Sequence, residues 1–254
     1  MASNIPTISL TGLALTFVPP AIALVLMAAW RAKAFHGLYA LARMLLQLIA
    51  IGYLLVYVFK SEDYRLVLLV LAVMLFFATR IAVRHVRDGK KAAFAAGLVA
   101  IGASSLPVLA LVTQGVIGMD PWFAPRFLVP LAGMIFAGAM NAVSLGAERF
   151  QAESLRGVPV AEARRTAFEA SLIPVTNTLL AVGLVSLPGM MTGQILSGIS
   201  PLVAVRYQIV VMTMLFGTAG LASGIYLFLR SRYMEAEGVR NHSRQSDQGG
   251  RSRA

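Results

Sequence analysis

Residues 8–30 read ISLTGLALTFVPPAIALVLMAAW, a run of 23 residues without a charged side chain. A helix rises 1.5 Å per residue, so about 20 apolar residues cross the roughly 30 Å hydrocarbon core of a bilayer. This stretch is therefore long enough to span a membrane, and Pro19-Pro20 should kink it. Comparable runs lie between clusters of charge at about 41–59, 64–83, 92–115, 127–146 and 207–229, and an uncharged block extends from Ala170 to Val205. The reading is an all-α, polytopic membrane bundle of about seven transmembrane helices.

Composition agrees. Of 254 residues, 58% are hydrophobic and 13% charged, with mean hydropathy +0.75. A soluble domain must solvate its exterior and cannot use that much apolar surface. Residues 1–234 are expected to form one membrane domain, and 235–254, almost without apolar residues, a disordered tail. A cleaved signal peptide is not expected, because no Lys or Arg precedes the first run, which is longer than a signal h-region. The absence of cysteine excludes disulfides, thiolate zinc sites and cysteine catalysis.

The net charge of +11 does not point to nucleic acid, because the basic residues sit at span ends and in the tail, with no basic face interleaved with aromatics. They alternate along the chain. Arg31, Lys33 and Arg43 follow the first span; Lys60 and Arg65, offset by Glu62 and Asp63, follow the second. Arg80, Arg84, Arg87, Lys90 and Lys91 come next, then Arg126 alone, then Arg149, Arg156, Arg164 and Arg165, and finally six arginines from Arg230 onward. Rich segments belong in the cytoplasm, which puts the amino terminus outside and the carboxyl terminus inside. Parity then requires a single crossing by 170–205, with breaks or an outer turn at Pro188-Gly189 and Gly198–Pro201; a re-entrant piece is compatible with those breaks.

Chemistry-bearing motifs are sparse. There is no Gly-x-x-x-x-Gly-Lys-Ser/Thr loop and no His-Glu-x-x-His pair, and His36, His85 and His242 fall in loops or the tail. No carboxylate lies mid-span, where ion-driven transporters usually keep one. Uncharged polarity is what the spans offer: Gln47 with Arg43, Asn141 with Ser144, Asn177 and Gln194, and Gln208 in the last span. Such groups need partners in lipid, so they either join helices or line a pathway; Arg43 either snorkels or takes part in the same route. The twelve methionines read as packing, and Gly220/Gly224 as a close helix contact. In the charged stretch 147–169, Gly157-Val158-Pro159 should turn into a short helix. Glu162, Arg165 and Glu169 would share one face and Val160, Ala163, Ala167 and Ala170 another, for lying on lipid or docking a soluble partner.

The runs RMLLQLIAIG (43–52), VPLAGMIFAGAMNAVSL (129–145) and GLVSLPGMMTGQILSG (183–198), with RYQIVV at 206–211, resemble the FetB-type permease family. These are membrane subunits of bacterial ABC transporters linked to iron export, related to plant aluminium-tolerance permeases. The resemblance covers roughly residues 10–230, although the segment between Glu148 and Ile173 is shorter than is usual for the family. It implies a permease of the cell inner (plasma) membrane that is not itself an enzyme and binds no cofactor or metal. Two such chains would face two copies of a separate cytoplasmic ATPase that holds the ATP. Arg43, Gln47, Asn141, Ser144, Asn177 and Gln194 are the pathway candidates. Glu162, Arg164, Arg165 and Glu169, within segment 147–171, are the ATPase-coupling candidates. A non-transporting membrane scaffold that recruits a cytoplasmic partner through 147–171 is the alternative.

The orientation has a direct test, since the chain has no native cysteine. Single cysteines at positions 62, 120 and 200 should react with an impermeant thiol reagent added to intact cells, and those at 88, 156 and 245 should not. Labelling at 245 would overturn the parity argument.

Overall fold

The computed structural model describes residues 8–61 and 63–251, with side chains as far as Ala236. The chain divides into two compact units, one of residues 1–62 with Leu196–Gly198, the other of Asp63–Ile195 with the chain from Ile199 onward.

In the first unit, α1 (Leu10–Leu15) and α2 (Val18–Ala29) replace the single kinked span. Pro19 and Pro20 lack the N–H that would continue α1, and their rings oppose the preceding carbonyls, so the helix restarts with proline in its first turn. The turn that follows places Arg31 at φ 54° and closes with Ala32 N–H donating to Met27 O at 2.8 Å. Helix α3 (Ala34–Val58) then packs back on α2. The approach is close at Gly37, where a Cβ would lie 2.9 Å from Leu24 Cδ2. Helix α3 begins seven residues before the expected span, because nothing between Lys33 and Arg43 breaks a helix. His36 and Arg43 consequently lie within it and not in a loop.

The second unit holds α4 (Tyr64–Ala82), α5 (Lys90–Ala110), a π-helical turn (Leu111–Val116), α6 (Pro125–Leu155), α7 (Val160–Ala181), α8 (Gly189–Leu196) and α9 (Pro201–Arg251). Helix α9 packs on α5, α6 and α7, and α6 also contacts α4, α5 and α7. Small residues make these approaches possible, as expected where lipid supplies no hydrophobic drive for helix association. Ala93, Ala96, Gly97 and Ala100 line α5, Ala139, Ala142 and Gly146 line α6, and Ala219 and Ala222 line α9. Where α6, α7 and α9 meet, Ser171 of α7 and Ser223 of α9 hydrogen-bond at 2.6 Å. A Cβ on Gly146 of α6 would lie 3.1 Å from Ser223 Oγ and 3.4 Å from Ser171 Cβ.

The two ends of this unit differ in chemistry. At one, Tyr64 at the start of α4 stacks near Trp122 and Phe123 of the α5–α6 connection, each with ring centroids 6.3 Å away. At the other, Arg230 of α9 donates to the Asp88 carbonyl at 3.2 Å, and Arg164 of α7 reaches Ser231 at 3.4 Å. The basic residues 80–91, 149–165 and 230–232 belong to this second end, which explains how the charges can alternate along the chain yet gather in space.

Among the described residues six helices are long and apolar enough to cross a membrane: Leu10–Ala29 taken together, Ala34–Val58, Tyr64–Ala82, Lys90–Val116, Pro125–Leu155 and Pro201–Ala236. About seven spans are expected from the sequence; the difference lies in 170–205, which is broken into short pieces. Helix α7 passes without a break from the charged stretch into the uncharged block, but beyond Ala170 it supplies only about 18 Å. A tight turn follows, with Val185 N–H donating to Ala181 O and Gly183 at φ 82°. Helix α8 starts at Gly189, Gly198 stands at φ 88°, and α9 starts at Pro201. The segment arrives at the aromatic end, where Met190 and Gln194 meet Ile117 and Arg126. The backbone of α9 continues helical to Arg251, so the tail expected from 235 falls, beyond Ala236, outside the residues whose side chains are described.

The α6–α7–α9 junction sets a stability test. Gly146→Leu forces a branched side chain into a gap already closed at 3.1 Å and should cost about 1–3 kcal/mol. Ser223→Ala should cost about 0.6 kcal/mol, because Ser171 keeps its bond to the Phe168 carbonyl at 2.7 Å. Thermal unfolding in detergent separates the two; equal losses would mean that the hydroxyl pair, not the close approach, holds the junction.

Candidate functional site

The polar residues expected to line a route fall into three settings. Arg43 and Gln47 lie one turn apart on α3 of the first unit, well inside the helix. With its amide oxygen turned toward the guanidinium, Gln47 accepts from Arg43 Nε at 3.0 Å and from Nη2 at 3.2 Å. A cation this far from the helix end cannot reach water as easily as a terminal one, and the two-pronged contact with Gln47 reduces the cost of its desolvation.

Gln194 of α8 has the second setting. It lines a cavity of about 480 Å³ at the aromatic end of the second unit, together with Arg126, Met134, Met190 and Tyr207. Its Oε1 is buried without a hydrogen-bond partner, while its backbone carbonyl accepts from Ile199 N–H at 3.0 Å. The mainly apolar wall with one arginine, one phenol and one free amide oxygen suits a solute of mixed polarity.

Asn141 on α6 and Asn177 on α7 form the third setting: both are exposed, on helices that pack together, and neither lines that cavity. Ser144 is half-buried on α6. Gln208 on α9 was visible in the sequence as one more polar residue of an apolar run, but nothing there marked it out. It is only 5% exposed, and neither its amide oxygen nor its nitrogen has a partner. Burial of both ends of an amide is a tertiary fact, and residue type alone gives no sign of it. Among the described residues no three His, Asp or Glu side chains come together as a metal-holding group.

The α6–α7 turn is the other candidate. Gly157 at φ 77° reverses the chain, and Glu153, buried on α6, pairs with Arg149 at 2.6 Å and Arg156 at 3.6 Å, fixing the end of α6. On α7, Arg165 Nε donates to Glu169 Oε1 at 2.9 Å. That hydrogen bond and the Glu169 charge hold the exposed Arg165 guanidinium above its ordinary pKa, with Glu162 adding a smaller pull in the same direction. Glu162, Arg165 and Glu169 therefore form one solvent-facing ridge. Arg164 does not join it, because it turns inward to Ser231 of α9. The apolar face of this helix is not available to lipid or to a partner either: Ala163 and Ala167 are fully buried within the unit. The exposed apolar group here is Leu155, 75% accessible at the end of α6.

The chain is 38% identical over 201 residues to the UPF0014 membrane protein slr1647 of Synechocystis, covering 73% of this chain and 78% of that one. It is 33% identical over 210 residues to the probable iron export permease protein FetB of Escherichia coli, covering 77% and 80% respectively. It is 30% identical over 227 residues to the protein ALUMINUM SENSITIVE 3 of Arabidopsis thaliana, covering 83% and 82%. No solved structure matches the chain. The model of the uncharacterised protein family UPF0014 matches residues 10–157 and 156–234, two stretches that meet in the α6–α7 turn, and with these relatives it makes the chain a member of the UPF0014 family of membrane proteins.

Proposed function

We propose that this chain is the membrane-embedded permease subunit of an ATP-driven exporter, acting as a pair of identical chains with a separate cytoplasmic ATPase in the plasma membrane. The observation that carries the reading is polarity kept inside otherwise apolar helices. The Arg43–Gln47 pair and the unpartnered Gln194 oxygen are costly in lipid, and such groups are retained where a polar cargo must pass. The relative named as a probable iron export permease supports export, with iron or another metal-related solute as cargo. An amide, phenol and guanidinium lining suits a chelated metal or polar organic solute better than a bare hard cation, which prefers carboxylate oxygens.

Hydrolysis belongs to the partner in this reading, since the chain has no Walker loop. The α6–α7 turn is the coupling surface: Leu155 offers a small apolar contact, and Glu162, Arg165 and Glu169 form a charged rim of the kind that sets register at interfaces. Because α7 runs from this ridge into the uncharged block, a push on the turn would be passed along it toward the membrane segment, with Pro174 as the point where it can bend.

Two experiments test the proposal. In the complex with its ATPase, Gln47→Leu, Asn141→Leu and Gln194→Leu should each lower export while basal ATP hydrolysis persists. Gln208→Leu, which removes a buried amide without partners, should raise thermal stability by about 1–3 kcal/mol. Loss of assembly in the first three with normal export per assembled complex would show that they only join helices. In the second experiment, Glu162→Arg combined with Arg165→Glu should weaken ATPase association about tenfold with little change in folding, since the Arg165–Glu169 pair is exposed and screened by water. Full export by that double variant would place the docking surface elsewhere, and a chain that recruits a partner yet moves no cargo would be a scaffold.

A further inference from the structure

We propose that the cavity at the arginine-rich end of the second unit is a binding site for a phosphate group, either free or as the headgroup of an anionic lipid. The cavity, of about 540 Å³, lies between the α4–α5 loop, α6 and α9, with Gly89, Tyr226, Arg230 and Tyr233 on its wall. The site uses none of the residues assigned to the pathway, and it shares only Leu155 with the proposed coupling surface.

Three observations converge on an anion. First, Arg230 is only 6% exposed, and while Nη2 donates to the Asp88 carbonyl, Nη1 is buried without a partner. A buried guanidinium with an idle donor is expensive, because its desolvation is only partly offset. Second, that idle nitrogen stands at the amino terminus of α5, a 21-residue helix: a Cβ on Gly89 would lie 3.2 Å from it. Gly89, at φ 61°, offers no side chain to cap the first turn of α5, and that turn holds no acidic residue. A helix amino terminus is the positive end of its dipole, so a guanidinium beside it meets like charge, an arrangement that an anion bound there would relieve. Third, the surrounding charge has the same sign. Arg87 lines the cavity and Lys90 and Lys91 occupy the first turn of α5; Asp88 on the wall is exposed and gives Arg230 its carbonyl oxygen.

Tyr226, Arg230 and Tyr233 form one stripe on α9, with the guanidinium 5.1 Å from the Tyr233 ring centroid. The ring packs against the guanidinium and supports it at the cavity wall. The stripe sits where the apolar run of α9 gives way to charge, the depth at which arginine and tyrosine meet phosphate headgroups.

The test uses the purified full chain in nanodiscs of phosphatidylcholine. One arm adds inorganic phosphate against chloride at equal ionic strength; the other replaces part of the lipid with phosphatidylglycerol. Melting temperature and lipid retained in native mass spectrometry are read. Stabilisation by inorganic phosphate assigns a free anion, and stabilisation by phosphatidylglycerol alone assigns a headgroup; either supports the site. Arg230→Gln should weaken the effective probe about tenfold, and Arg230→Lys, which keeps the charge but loses the planar fork, should weaken it less. Should the glutamine variant fail to fold, the lysine variant carries the comparison. No response to either probe, a response only to an acidic peptide, or unchanged binding in the folded Arg230 variants would overturn the proposal.

Discussion

The second unit depends on how closely α6, α7 and α9 approach at Gly146, Ser171 and Ser223. In lipid no water competes for backbone or side-chain groups, and lipid tails are as apolar as leucine, so helices gain little from hiding apolar surface. Association rests on contact area between backbones and on polar pairs closed within the protein. Gly146 gives both, since the absent side chain lets the two serines meet at 2.6 Å behind it. Once that junction is fixed, Arg164 is brought to Ser231 and Ala163 and Ala167 are sealed inside. The charged ridge of α7 is left facing water.

Against this well-paired interior the exceptions stand out. Thr79, Thr113, Thr218 and Ser104 return their hydroxyls to carbonyls of their own helices, the usual solution for small polar residues in a span. Gln194, Gln208 and Arg230 have no such recourse, because their polar ends extend past their own backbone, and each keeps a buried atom without a partner. One lies at the aromatic end, one on the buried face of α9 and one at the arginine-rich end. Two of them, Gln194 and Arg230, line cavities.

The continuity of α7 links the two kinds of site. Helix α7 runs from the charged turn into the uncharged block, with a flexible point at Pro174, which has no N–H for the Ala170 carbonyl; Thr178 Oγ1 donates to the Pro174 carbonyl at 2.9 Å, one turn further on. Past Ala181 the glycines at positive φ, Gly183 and Gly198, break the rod into a turn and the short α8, which presents Gln194. The segment is thus one long helix where it meets the charged turn and a series of short pieces where it meets the cavity lined by Gln194.

The sequence by itself determined the class of molecule and most of its spans. Hydropathy over about 20 residues is a property of composition along the chain, and a bilayer reads it without reference to any other segment. The breaks at Pro19-Pro20, Gly189, Gly198 and Pro201 were legible for the same reason, because they follow from local backbone chemistry. What needed tertiary structure was the direction in which polar groups face. Charge clusters suggested that Arg43 ends a loop, yet the absence of any breaker before it places it inside α3. Arg164 stands among the coupling candidates with Glu162, Arg165 and Glu169, but packing on α9 turns it inward. Gln208 and Arg230 look in the sequence like any amide or arginine near a span end. Only the approach of α5, α6 and α9 buries them and leaves their donors idle, since burial depends on neighbours far along the chain.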